Sequence, residues 1–365
     1  MIVSKIKKWP KKARDNELKD KHTCLTAPKN PNHNARFYNN YFSLIAAGAR
    51  LKLVEAMFSL NLFALFENTD WVLESDIIEK LKLMPIRAKK WLHLLCCEHF
   101  LTKIKIDNQP AYQLPDEFRQ LIHSDIWWSM QFFFNSWIVG ANEELTDVLR
   151  FGAVKTSVSW PPKTKAEAVW LEDWMTRTAW KPINCILEQI NFKKVRNLLD
   201  VGGGDGTIAC ELVSTYPHLK ATVYNLPKPA QMARRNIASK GLNHQVSVLE
   251  GDFIAQDTFP VGFDLILFAR VLFDWNESTN RKLLRMAYQA LPKNGLIAIC
   301  EFYKEENNDR CLSIEYRYIF HDDFTSHVLK TAAEYRCMLE EIGFSIIPTN
   351  EEKIQPYYSL LLARK

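Results

Sequence analysis

Residues 198–208 read Leu198-Leu199-Asp200-Val201-Gly202-Gly203-Gly204-Asp205-Gly206-Thr207-Ile208, and few architectures accept such a run. Leu198, Leu199 and Val201 lack polar alternation, which is the mark of a parallel strand covered on both faces. Ile208, Leu212 and Val213 then fall at helical spacing. Glycines at 202, 204 and 206 open backbone conformations closed to other residues and leave room for a ligand against the main chain. Strand, glycine turn and helix form the opening unit of a doubly wound sheet, which takes its ligand at the carboxyl ends of the strands. The spacing is G-x-G-x-G, not the G-x-G-x-x-G of dinucleotide folds, and there is no G-x-x-x-x-G-K-[ST] phosphate loop. A tight strand–helix turn with no ligand is the alternative, and the strands that follow count against it.

Downstream, strands are expected near 197–201, 220–224, 246–250, 263–269 and 295–301, with helices near 206–216, 228–240 and 276–291. A helix at 332–342 precedes strands at 345–348 and 357–363. Alternating strands and helices imply an α/β fold with a doubly wound, mostly parallel sheet. No helix separates the last two strands, so they should pair antiparallel.

Upstream, the 365-residue chain divides differently. Residues 1–36 hold ten Lys/Arg and three Asp/Glu, a net of +7 that leaves −2 for the remaining 329, so the basic character belongs to a tail. With Pro10, Pro28, Pro31 and several Asn, that tail is expected to be flexible. Residues 37–123 give two short helices and a β-hairpin after a longer helix, the order of a winged-helix unit. The helix opened by Pro85 carries only Arg87, Lys89 and Lys90, at one end, which favours packing and dimerisation over reading DNA. Residues 124–192 are helical and aromatic, with Trp127, Trp128, Phe132, Phe133, Phe134, Trp137, Trp160, Trp170, Trp174 and Trp180 serving core, interface or an apolar substrate pocket. Residues 193–365 form the sheet domain.

Hydrophobic content of 47% and charged content of 24% describe a globular protein. The eight cysteines form no C-x-x-C, and several sit in apolar runs, which fits buried thiols in a reducing compartment and a cytoplasmic protein. No run is apolar and long enough to span a bilayer. His321-Asp322-Asp323 lacks a second His or Cys at ligand spacing, so no metal site is expected.

Six motifs carry a family resemblance: Asp200-Val201-Gly202-Gly203-Gly204-Asp205-Gly206, Tyr224-Asn225-Leu226-Pro227, Gly251-Asp252-Phe253, Arg270-Val271-Leu272-Phe273-Asp274-Trp275, Ala290-Leu291-Pro292-Lys293-Asn294-Gly295 and Thr331-Ala332-Ala333-Glu334-Tyr335. Across about residues 37–365 the chain resembles class I S-adenosyl-L-methionine-dependent methyltransferases of the small-molecule O-methyltransferase family. That family includes plant phenol methyltransferases and bacterial enzymes acting on polyketides, carotenoids (the hydroxyneurosporene-type branch) and chlorophylls. The resemblance implies a Rossmann-like methyltransferase sheet behind a winged-helix dimerisation domain, a homodimer, and a small-molecule acceptor. It implies that Gly202 and Gly204 admit the methionine end of the donor and that the residue closing the second strand meets the ribose diol. Family members usually place an acid there, whereas this chain has Asn225, whose amide both accepts and donates. Asp252 is expected to accept from the adenine amino group, Phe253 to cover the ring, and Ala269 to approach the donor.

The larger departure is Phe273. The family typically reads R-V-L-H-D-W, with that His removing the acceptor proton, a role Phe cannot fill. Methyl transfer by proximity then falls to an acidic oxygen, an enolisable carbon or another base. Glu301, Asp274 and His321 are the candidate substitutes, though Asp274 also suits the opening of the next helix. A repurposed S-adenosylmethionine-binding enzyme with other chemistry, and a non-catalytic dimeric scaffold, are the alternatives.

Overall fold

The computed structural model describes residues 31–124, 145–152, 173–304, 309–319, 329–349 and 359–365, together with Trp127, Met130, Gln131, Phe134, Ile138 and Val169. The chain forms two compact units, Met1–Ile122 and His123–Lys365.

In the first unit, α1 (Pro31–Ser59) starts inside the segment expected to be tail, with proline at the first helical position, where its missing N–H costs nothing. A short 3-10 turn (Leu62–Phe66) leads to β1 (Val72–Leu73), α2 (Glu74–Lys80), α3 (Pro85–Cys97), β2 (Thr102–Ile106), β3 (Gln109–Gln113) and α4 (Asp116–Ile122). The sheet order is β1-β3-β2, with the helices α2 and α3 lying in sequence between β1 and the β2–β3 hairpin. The β2–β3 hairpin is tighter than its sequence suggests. Ile106 pairs with Gln109, because Asp107 and Asn108 both take positive φ (48° and 62°) and close a two-residue turn. Met57, Leu62, Ile77, Leu92, Leu95 and Leu101 fill the core, and Tyr112 donates to Glu74 Oε2 at 2.8 Å within it. Lys89, one of the three basic residues of α3, lies 3.6 Å from Glu74. On α1, Leu44 is 73% exposed, beside Phe42 at 61%.

The second unit opens with α5 (Leu145–Phe151) and α6 (Trp180–Gln189). Of the aromatic series, Trp127, Phe134, Trp174 and Trp180 are described, whereas Trp128, Phe132, Phe133, Trp137, Trp160 and Trp170 lie outside the described residues, as does His321-Asp322-Asp323. There follow β4 (Asn197–Val201), α7 (Thr207–Thr215), β5 (Lys220–Asn225), α8 (Pro227–Ser239), β6 (Val246–Glu250), β7 (Leu265–Ala269), α9 (Glu277–Ala290), β8 (Leu296–Glu301), α10 (Asp309–Tyr318), α11 (Ala332–Ile342), β9 (Ser345–Ile347) and β10 (Ser359–Arg364). The sheet runs β6-β5-β4-β7-β8-β10-β9. Pairs β4–β5, β5–β6, β4–β7 and β7–β8 are parallel, and β10 lies antiparallel to both β8 and β9.

Strand parity sorts the core into two layers. Leu198, Leu265, Leu267, Ala298 and Cys300 pack with residues of α6, α7 and α8. Leu199, Val201, Ile266, Phe268, Ile297 and Ile299 pack with residues of α9 and α11. All five residues of β7 are buried, which is why its sequence, Leu265-Ile266-Leu267-Phe268-Ala269, shows no polar alternation. From β4 the chain winds outward through β5 and β6, then returns to the other side of β4 as β7. That reversal places the switch point at the carboxyl end of β4, where the glycines lie.

Candidate active site

The glycine loop continues the β4–β5 ladder and then leaves it. Gly202 N–H donates to the Tyr224 carbonyl at 2.8 Å, Gly204 N–H to the Gly202 carbonyl at 2.7 Å, and Gly206 N–H to the Gly203 carbonyl at 2.9 Å. Gly202 sits at φ 71° and Gly204 at φ 55°. At Gly202 a Cβ would lie 2.7 Å from Val271 Cγ2, so both its backbone angle and its contact with the β7 turn require glycine. At Gly203 a Cβ would lie 2.4 Å from Asp200 Oδ2. That carboxyl is fully buried and neither oxygen has a hydrogen-bond partner. Burial pushes it up to about 7, against the pull of Arg270.

Asp205 organises the far side of the loop. Its Oδ1 accepts from Thr207 N–H at 3.0 Å, and its Oδ2 from the Thr176 hydroxyl at 2.9 Å. Asn236 Nδ2, from α8, donates to the Asp205 carbonyl at 3.0 Å.

Asn225 closes β5 and is 7% exposed. Its Oδ1 accepts from Leu226 N–H at 2.8 Å and its Nδ2 donates to the Gly204 carbonyl at 3.4 Å, so the amide joins the second strand to the glycine loop. The next strand end is joined in turn, since Gly251 N–H donates to the Asn225 carbonyl at 2.9 Å. Asp252 then caps its own turn, its Oδ1 accepting from Ile254 N–H at 2.9 Å in an Asx geometry. Phe253 is buried, its ring 5.8 Å from that of Tyr224 at an interplanar angle of 70°.

Ala269 ends β7, and the chain turns sharply after it. Arg270 has φ 61°, a costly angle for a long side chain, and the surroundings hold it there. Its N–H donates to the Cys300 carbonyl at 3.1 Å, while its guanidinium donates to Thr178 Oγ1 and to the Met175 carbonyl, each at 3.0 Å. Glu301, at the end of β8, accepts Val271 N–H and Leu272 N–H at Oε1, both at 2.8 Å. It is fully buried, and burial raises its carboxyl to about 7 although both N–H groups, Lys330 and Arg270 pull the other way. Glu301 therefore holds the backbone on which Phe273 is mounted, and its oxygens are closed to an outside acceptor. Asp274 is buried as well, with its carboxyl raised by burial and by Glu301. The opening of α9 belongs instead to Asn276, whose Oδ1 accepts from Thr279 N–H at 2.9 Å. Lys330 donates to the Trp275 carbonyl at 2.7 Å, and burial lowers its amine.

The structure thus brings Gly202, Gly204, Asn225, Asp252, Phe253, Ala269 and Glu301 to the carboxyl ends of five adjacent strands, β6 to β8. A groove lined by Asn197, Lys220, Thr222, His244 and Gln245 lies at the opposite, amino ends and contains none of them. Sequence reasoning assigned no role to Arg270, Asp205 or Thr176. An arginine between apolar strand and apolar turn was the available signal. Among the described residues no group of three or more His, Cys, Asp or Glu has metal-binding geometry, and no helix is long and apolar enough to cross a membrane.

Residues 164–345 match a family model described as O-methyltransferase domain. The 3-hydroxy-5-methyl-1-naphthoate 3-O-methyltransferase of Streptomyces sahachiroi is 37% identical over 118 residues, which are 32% of this chain and 34% of that protein. The L-tyrosine C(3)-methyltransferase of Streptomyces lavendulae is 34% identical over 124 residues, 34% of each chain. The chain therefore spans about a third of the length of these curated relatives. Among solved structures, the S-adenosylmethionine-dependent methyltransferase SibL in its apo form is similar with a TM-score of 0.70 at 23% identity. That likeness covers 88% of this chain and 97% of the other, and it shows the fold.

Proposed function

We propose that the chain, whose residues 164–345 match the O-methyltransferase domain model, transfers a methyl group from S-adenosyl-L-methionine to a hydroxyl or an acidic carbon of an apolar or aromatic small molecule. The observation that carries this reading is the joined row of strand ends, in which Asn225 binds the glycine loop and Gly251 binds Asn225. A cradle closed to any side chain at Gly202 and Gly203 fits a ligand that touches backbone.

When bound, S-adenosylmethionine supplies an electrophilic methyl. Gly202 and Gly204 would admit its amino-acid end, Asn225 would meet the ribose hydroxyls, Asp252 the adenine amino group and Phe253 the ring. Asn225 already spends its oxygen on Leu226 N–H, so the ribose is met without the charge that an acid would bring. On the acceptor side, Phe273 offers no proton acceptor. Glu301 holds the turn that carries it and Asp274 is buried beside it, so the reaction depends on alignment and on an acceptor that is already acidic. The two relatives described above are named for transfer to oxygen and to carbon, respectively, which suits an acceptor atom not set by a dedicated base.

We place the protein in the cytoplasm as a homodimer. Four cysteines, Cys185, Cys210, Cys300 and Cys311, are buried and outside any disulfide, which suits a reducing compartment. The exposed apolar residues Tyr41, Phe42, Leu44 and Ile45 of α1 supply a surface for a second copy.

The test is transfer of a radiolabelled methyl from S-adenosylmethionine to a panel of acidic phenols, ordinary phenols and enolisable carbon acids. Labelled acidic phenol or carbon product supports the proposal. Donor binding with no product from any acceptor class supports the repurposed enzyme instead.

A further inference from the structure

Residues Met175–Thr178, the end of a helical stretch and the start of the turn before α6, are fastened at two different strand ends. From the β4 loop, Asp205 Oδ2 accepts the Thr176 hydroxyl at 2.9 Å while Asp205 Oδ1 caps the first turn of α7. From the β7 turn, the Arg270 guanidinium donates to the Met175 carbonyl and to Thr178 Oγ1, each at 3.0 Å. Thr178 is buried and passes its own hydroxyl hydrogen to the Trp174 carbonyl at 2.8 Å. Arg270 holds a left-handed backbone angle to make its contacts, a strain that persists only where several partners fix it. Both anchors belong to segments that would touch the donor or its reacting end: Asp205 lies within the glycine loop, and Arg270 separates Ala269 from the turn bearing Phe273.

We infer that Thr176 and Arg270 are positioning residues that tie the Met175–Thr178 helix end to the donor cradle, so that ordering of the glycine loop by ligand also orders the chain segment carrying Trp174. This rests on the reading of the cradle as a donor site. The asymmetry of the two anchors makes it testable. Thr176 contributes one neutral hydroxyl to a carboxylate, whereas Arg270 contributes a two-armed charged clamp, so each is removable without touching the loop backbone.

The experiment is hydrogen exchange on the full chain, with and without S-adenosylhomocysteine, read at residues 202–207 and 174–179 while the thermal midpoint is monitored. In the unmodified protein the probe slows exchange at both segments. Thr176→Val keeps the slowing at 202–207 and loses about fivefold of it at 174–179, and Thr176→Ser retains it. Arg270→Lys, which keeps the charge near Asp200 and Glu301 but loses the fork, gives the same selective loss. Full protection of 174–179 in both Thr176→Val and Arg270→Lys overturns the inference. Absence of slowing at 202–207 in the unmodified protein is a different result: it overturns the donor reading and the inference with it.

Discussion

The two halves of the site are built by different means. The proposed donor half, from β4 across β5 to β6, is made of backbone: glycines at positive φ, strand-end carbonyls and one amide that links them. The proposed acceptor half, from β7 to β8, is made of buried side chains, with Glu301 gripping two backbone N–H groups and Arg270 held in a strained angle. Backbone geometry tolerates no substitution at its close contacts, whereas a side-chain scaffold keeps its shape while the residue mounted on it changes. On the proposed function, that difference lets Phe273 stand where the resemblance places a base while the proposed cradle beside it stays whole.

The comparison breaks most directly at Gly202. Gly202→Val forces a side chain into Val271 and strains the φ of 71°, and S-adenosylhomocysteine affinity should fall roughly 100-fold in a calorimetric titration. Affinity within a few-fold of the unmodified protein would mean that the loop is not the cradle.

The next test works on the acceptor half. Phe273→His places an imidazole on a turn whose backbone Glu301 already fixes. Transfer to ordinary phenols should then rise roughly tenfold or more and acquire a pH limb near 6–7. Transfer to carbon acids should change little. A variant with no gain toward phenols would show that the scaffold does not present residue 273 to the acceptor.

How much of this was legible follows the same division. The strands and their glycine turn could be read because periodicity and glycine spacing are local; β4 and β6 fall on the expected residues. In the first unit the apolar pattern puts four residues, 107–110, between the hairpin strands, whereas the positive φ of Asp107 and Asn108, which no apolar pattern announces, closes the turn in two. Glu301 was legible as a carboxylate at a strand end, but its use was not, because its partners lie about 30 residues earlier in the chain. Asp274 looked like a helix opener, and Asn276, two positions on, takes that place. Arg270 and Thr176 were silent because their meaning lies in contacts across more than 90 and almost 30 positions, respectively.

Smaller effects sharpen the donor side. Asn225→Asp keeps the acceptor for Leu226 N–H and adds charge facing the ribose, so S-adenosylhomocysteine should bind about threefold to tenfold tighter. Weaker binding would mean that the amide's donation to Gly204 outweighs the added charge.

The smallest effect concerns pH. Asp200 and Glu301 are both raised to about 7 by burial, so the folded chain keeps protons that the unfolded chain releases above about 4. Their contribution is fully present below that pH, is lost as pH rises toward about 7, and is level beyond it. Asp200→Asn should flatten the slope of unfolding free energy between those limits by about one proton equivalent, as chemical denaturation at several pH values will report. An unchanged slope would show that Asp200 is ionised in the fold.

The central claim is that the joined strand ends hold S-adenosylmethionine, and calorimetric titration of the full chain with S-adenosylhomocysteine, with NADH as control, tests it most directly. The account predicts micromolar binding of S-adenosylhomocysteine and none of NADH. Absence of S-adenosylhomocysteine binding would contradict it and leave the non-catalytic scaffold as the reading of the fold.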